Sequence, residues 1–217
     1  MRLEFLDFFA EWGEPIDPVA VSEDHFLQYG DRLPELMLDM WREIGFAGFG
    51  DGLLWICDPR AWQPIVDTWL AGLDLPELYV GEQIPLFRTA YGEIHCFKPG
   101  LGLNVTVIPV ASKIGLIEPN PVEGQRWIDM HIESLLKYPA DLFLVDADNV
   151  YDSDDDQDDL FPRLVERLGQ TTHDTVYSFS PSTQEDGIVR VETAFVAHAA
   201  SELTRLRTLK TPEVFIA

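Results

Sequence analysis

Leu33, Leu36, Met37, Met40, Trp41 and Ile44 recur at the spacing of a single helical face, and Gly45 stands where that helix would stop. The first third of the chain as a whole reads as helical. Phe5, Leu6, Phe8 and Phe9 form a short apolar face closed by Gly13 and Pro15. Ser22 suits the N-cap of a helix running to Tyr29, with Gly30 as its stop. Phe46 to Gly52 reads as a helix stop followed by a turn, and Leu53 to Cys57 as a short buried strand. Asp58-Pro59 opens a further helix with Trp62, Ile65, Val66, Trp69 and Leu70 inward, and Pro64 is expected to set its first turn apart.

Beyond Leu86 the period changes. Leu86–Tyr91, Ile94–Phe97, Leu103–Ile108 and Lys113–Ile117 are short apolar runs, with Tyr91-Gly92 and Pro99-Gly100 as turns between antiparallel strands. A helix is expected over 124–138, with Trp127, Ile128, His131, Ile132, Leu135 and Leu136 inward. A second uses Phe161, Leu164, Val165 and Leu168, with Gly169 just past its end. Thr175–Ser180 and Ile188–Thr193 are candidate strands, and a last helix is expected from Phe195 to Leu209. The pattern predicts an α+β fold: helices packed on a mostly antiparallel sheet, then a smaller C-terminal α/β region. Residues 1–120 are expected to form one domain and 121–217 a second, with the stretch 146–159 inside it or acting as a linker.

Charge changes this picture more than composition does. The formal net charge is −23, and between Lys137 and Arg163 there are nine aspartates and no Lys or Arg. Such a field repels nucleic acid and anionic membrane and attracts basic partners. A hydrophobic content of 46% is ample for a packed core, so the acidity does not signal global disorder. Met1–Ala10 carries Glu4 and Asp7 inside its apolar stretch and is not a signal peptide. No run of apolar residues is long enough for a transmembrane helix, so a cytoplasmic protein is expected. Cys57 and Cys96 are the only cysteines; two buried thiols fit a cytosolic chain, and a single disulfide is the alternative.

The candidate chemistry is sparse. An EF-hand loop started at Asp146 would place Tyr151 at the sixth position and Gln157 at the twelfth; started at Asp152 it would place Gln157 and Arg163 there. Both registers lack the required Gly and Glu. Asp158 and Asp159 stand where carboxylates cap the following helix. His25, His95, His131, His173 and His198 form no HxxxH or HExxH spacing, and adjacent His95 and Cys96 on a strand would face opposite ways. A small metal-dependent or hydrolytic enzyme using Cys57 and His95 is the alternative to a binding protein, and a ligand-sensing or scaffold module is a third. No catalytic residue, metal ligand or cofactor is assigned.

Phe8-Phe9, Trp12-Gly13, Pro15, Tyr29, Leu33-Pro34-Glu35-Leu36, Trp41 to Phe46, Gly50 to Trp55, Asp58-Pro59 and Trp69-Leu70 follow one another in a recognisable order. In these the N-terminal half resembles the GAD-like domain family, with Asp58-Pro59 in place of the usual Asn-Pro. Phe161, Leu168-Gly169, Asp174 to Pro181 and His198 resemble the domain that commonly follows it, although the paired glycines expected after Pro181 are missing. The resemblance implies an immunity protein that neutralises a DNase effector of the type VI secretion system. The implied partner is a basic nuclease toxin, with no direct nucleic-acid or membrane contact. Asp152, Asp154, Asp155 and Asp156 are the expected partner-binding residues.

Overall fold

The computed structural model describes residues 3–118, 132–134, 160–185 and 189–216. Helix α1 spans Leu3–Trp12 and buries Phe5, Phe8 and Trp12, with the Phe8 ring edge-on to Phe49 at 4.8 Å. Its apolar stripe is narrower than the sequence suggests, since Leu6 is half exposed. Helix α2 spans Glu23–Tyr29 after Ser22, and α3 spans Glu35–Glu43. The buried face of α3 carries Leu36, Met37, Met40 and Trp41, as its period requires. Trp41 is met edge-on by Phe26, Tyr29 and Phe46, so one indole ties α2 and α3 to the sheet.

Helix α4 spans Pro59–Leu70, and the Asp58 side chain caps it by accepting from the Arg60 backbone N–H at 2.8 Å. Contrary to expectation, Pro64 does not split it. Pro64 lies on the exposed side of the helix, and so does Arg60, the residue whose carbonyl it leaves without a helical donor.

The sheet holds eight strands in the order β1-β2-β3-β4-β5-β6-β7-β10: β1 Ile16–Val19, β2 Phe46–Phe49, β3 Leu54–Ile56, β4 Ile84–Thr89, β5 Ile94–Lys98, β6 Gly102–Ile108, β7 Lys113–Leu116 and β10 Glu213–Ile216. Every pairing is antiparallel except that of β10 with β7. A separate ribbon pairs β8, Thr175–Phe179, with β9, Ala194–His198. The predicted α+β class holds. Three strands were not expected: β1, β2 in place of a turn, and β10. Of the expected strand at 188–193, residues 189–193 are described and hold a 3₁₀ turn at Val191–Thr193, and β9 takes the first residues assigned to the last helix. Phe195 to His198 are needed to complete the ladder of β8, so helix α6 begins only at Ala199 and runs to Leu209.

Helix α5, Leu160–Leu168, buries Leu160, Phe161 and Leu164 and ends at Gly169, as expected. Of the helix expected over 124–138, residues 132–134 are described; they are helical and Ile132 is fully buried.

The described residues form two apolar clusters. One joins α1, α2 and α3 with Phe87, Phe97, Phe161 and Phe179; the other packs Trp62, Val66 and Trp69 of α4 with Leu203 and Leu206 of α6 against Ile94, Cys96, Val105 and Val107. Polar contacts clip residues 160–216 to the sheet. Trp69 Nε1 donates to the Leu203 carbonyl at 3.0 Å, Arg207 returns donors to the carbonyls of Trp69 and Ala71, and the Tyr177 N–H bonds Ala90. Among the described residues, no helix is long and apolar enough to cross a membrane.

Candidate functional site

The run from Asp146 to Asp159 lies outside the described residues, and so do Asp152, Asp154, Asp155 and Asp156 and the two expected caps, Asp158 and Asp159. The remaining candidates can be located. Cys57 and Cys96 are free, buried thiols in the cluster beneath α4. Burial pushes Cys57 up to about 12, with Arg88 pulling the other way, so it is protonated and unreactive at neutral pH. His95 alternates with Cys96 along β5 and points to the other face of the sheet, toward Thr106. The structure therefore does not bring Cys57 and His95 together. Among the described residues, no group of three His, Cys, Asp or Glu side chains could hold a metal ion.

His95 is largely buried, and burial pushes it down to about 4. In an unfolded chain a histidine titrates near 6.5, so between roughly pH 6.5 and 4 the unfolded state binds the extra proton. Stability should therefore fall as the pH drops through this window, by up to about 3 kcal/mol for His95 alone. The Glu93 carboxylate lies 3.4 Å from Nε2. Urea titrations of the wild type and His95→Gln at pH 7 and pH 4.5 check this. The variant should lose distinctly less stability on acidification, and equal losses would refute the assignment.

A Ser-His-Asp sequence of contacts appears that the sequence reading missed. Ser22 Oγ lies 2.7 Å from His25 Nδ1, and His25 Nε2 lies 3.2 Å from Asp58 Oδ1. Its only signal in the chain is Ser22-x-x-His25, a capping-box spacing with His at the third helical position, normally held by Glu or Gln. The environment argues against acyl transfer. Exposed Glu23 and Asp24 put negative charge beside Ser22, where an oxyanion would need donors, and Asp58 Oδ1 already caps α4. The imidazole packs edge-on against Phe46 at 5.3 Å. These contacts staple α2 to the start of α4.

Arg88 on β4 is the other polar group with no counterpart in the sequence reading. It is fully buried, its guanidinium 5.0 Å from the Trp55 ring and 4.7 Å from that of Trp62. It donates to the carbonyls of Thr89 and Thr172. Burial lowers its pKa to about 10, which leaves it charged at neutral pH. It holds the 171–175 segment on the sheet and is not open to a ligand.

One exposed stretch is acidic throughout. Residues 61–87 contain Asp67, Asp74, Glu77 and Glu82 and no Lys or Arg. All four carboxylates are exposed, and Leu78 and Val80 stand exposed among them. The strongest candidate for a functional surface is thus this acidic stretch with its two exposed apolar side chains.

Residues 4–111 match the GAD-like domain. Over 98% of its length the chain is similar to 92% of the crystal structure of Atu4351 from Agrobacterium tumefaciens, with a TM-score of 0.76 and 20% sequence identity; at that identity the likeness concerns the fold. Among curated proteins, none matches the sequence.

Proposed function

We propose, for a chain that carries a GAD-like domain over residues 4–111, that it is a cytoplasmic immunity protein. It binds a cognate DNase toxin, one delivered by type VI secretion, and blocks the toxin's DNA-binding or catalytic surface. It acts by occupancy and has no catalytic step of its own. The observation that carries this reading is the charge: −23 overall, with nine aspartates and no basic residue between Lys137 and Arg163. A nuclease must present Lys and Arg to hold phosphate, so its working surface is the complement of such a field. Acidic side chains occupying those phosphate positions exclude DNA, and complementary fields raise association rates toward about 10⁸–10⁹ M⁻¹s⁻¹ at low salt.

Immunity genes sit beside their toxin genes, so the test is co-purification with the product of the adjacent upstream reading frame, followed by a nuclease assay. A stoichiometric complex with suppressed DNA cleavage is expected; undiminished cleavage at equimolar chain would end the proposal. Converting Asp152, Asp154, Asp155 and Asp156 together to Asn should slow association about tenfold at low salt and flatten its salt dependence. Unchanged kinetics would remove the acidic run from the mechanism while leaving the immunity reading intact.

A further inference from the structure

We propose that residues 74–82 form a docking surface for a basic protein partner, with Leu78 and Val80 as its apolar contacts. The segment turns through a 3₁₀ turn at Glu77–Tyr79. Side chains alternate across it: Leu78 is 41% exposed, Tyr79 is buried, and Val80 is 56% exposed. Exposed apolar side chains are common singly. Here two are displayed by a backbone that the rest of the protein fixes in place.

Lys98 Nζ donates to the carbonyls of Leu78 at 2.8 Å and Val80 at 2.6 Å, so one ammonium ties down the backbone that carries both apolar side chains. The Tyr79 hydroxyl donates to the Ile117 carbonyl at 3.3 Å, and Gln83 Nε2 donates to the Tyr79 carbonyl at 3.0 Å. Gln63 holds the Gln83 carbonyl from α4, and Arg32 pairs with Glu82 at the end of the segment. A surface held this firmly loses little freedom when a partner closes on it, which lowers the cost of binding.

Charge selects the occupant. Asp74 and Glu77 are exposed beside the apolar pair, and residues 61–87 contain no Lys or Arg; the cations that reach the segment, Lys98 and Arg32, are engaged by the Leu78 and Val80 carbonyls and by Glu82. Two apolar side chains rimmed by carboxylates fit an apolar recess rimmed by Lys or Arg, as a nuclease presents around its DNA site. A second copy of this chain, at −23, is repelled. The inference rests on the immunity reading and adds a folded contact face to it, distinct from the acidic run.

Two measurements separate the inference from that reading. In the first, Leu78→Asp/Val80→Asp is titrated against the cognate nuclease beside the wild type. The expected outcome is a Kd at least about 100-fold weaker at unchanged melting temperature, because both side chains point outward. The milder Leu78→Ser/Val80→Ser pair repeats the test should the aspartates perturb folding. A weakening below threefold by a folded variant overturns the docking surface while the immunity reading stands. If the wild type binds no nuclease, the immunity reading falls and the second measurement decides. The full chain with Asp152, Asp154, Asp155 and Asp156 changed to Asn, labelled with nitrogen-15, is titrated with an 18-residue helical Leu/Lys peptide and with polylysine. Amide shifts centred on 74–82 with the peptide, lost in Leu78→Ser/Val80→Ser, support the surface. Shifts centred elsewhere, or equal with polylysine, overturn it.

Discussion

Arg88→Ala should destabilise the protein by about 3–5 kcal/mol, enough to move the urea midpoint substantially. The guanidinium fills the gap between Trp55 and Trp62, so truncation leaves a cavity lined by two indoles. The Thr172 carbonyl also loses its donor, and with it one of the ties that hold the C-terminal segment on β4. Arg88→Lys should recover little, because an ammonium cannot stack flat between two rings while donating to two carbonyls. Arg88→Met separates volume from charge: it fills the gap with an apolar chain and removes the buried charge, so it should recover most of the loss. An Arg88→Ala variant within 1 kcal/mol of wild type would show that the Trp-Arg-Trp stack is not structural.

Arg88 also marks the limit of what the sequence discloses. Its strand was legible from apolar runs and flanking turns, and α3 was legible from an uninterrupted helical period. Nothing local distinguishes Arg88 from a surface arginine, because its burial depends on Trp62 of a helix and Thr172 of a distant segment. The strands that escaped notice share that property. Phe46-Ala-Gly-Phe49 is four residues ending in glycine-rich turn chemistry, and becomes β2 because β1 and β3 flank it. Val196 fits a helical face in sequence, yet it stands 38% exposed on β9, where it pairs with Tyr177 of β8. Local period identified elements whose apolar face is long; pairing across the chain decided the short ones.

The proposed docking surface was legible in the same uneven way. Net acidity and the dense run of aspartates are visible in composition alone. The apolar pair Leu78 and Val80 is not, since Leu75, Leu78, Tyr79 and Val80 look equally suited to a core. Which of them face out is set by Lys98 at the end of β5, which holds the carbonyls of Leu78 and Val80, and by Ile117 after β7, whose carbonyl holds the Tyr79 hydroxyl. Charge therefore suggested the class of partner before folding was considered, while the contact face needed the tertiary structure.

Gly45→Ala should cost about 2–5 kcal/mol, combining a left-handed backbone penalty of about 1–2 with an overpacking cost of about 1–3 kcal/mol. The sequence marks Gly45 as a helix stop, and it is one: it follows α3 at φ +88°. The fold adds a second constraint. A methyl group there would sit 2.3 Å from the Val19 carbonyl oxygen and 3.0 Å from its carbon. Val19 pairs with Phe46, the next residue, so neither backbone can yield without opening the β1–β2 ladder. Gly100 supplies the control. It has φ +81°, and a methyl group there would meet nothing within 4 Å, so Gly100→Ala should cost only the backbone penalty. The difference in unfolding free energy between the two variants then measures the Val19 contact itself. Hydrogen exchange should place the excess damage at Ile16–Val19, whose amides should exchange faster in Gly45→Ala and not in Gly100→Ala. Equal losses with unchanged protection of β1 would mean that the edge strand can move aside. The close approach of Val19 would then not be what requires glycine at position 45.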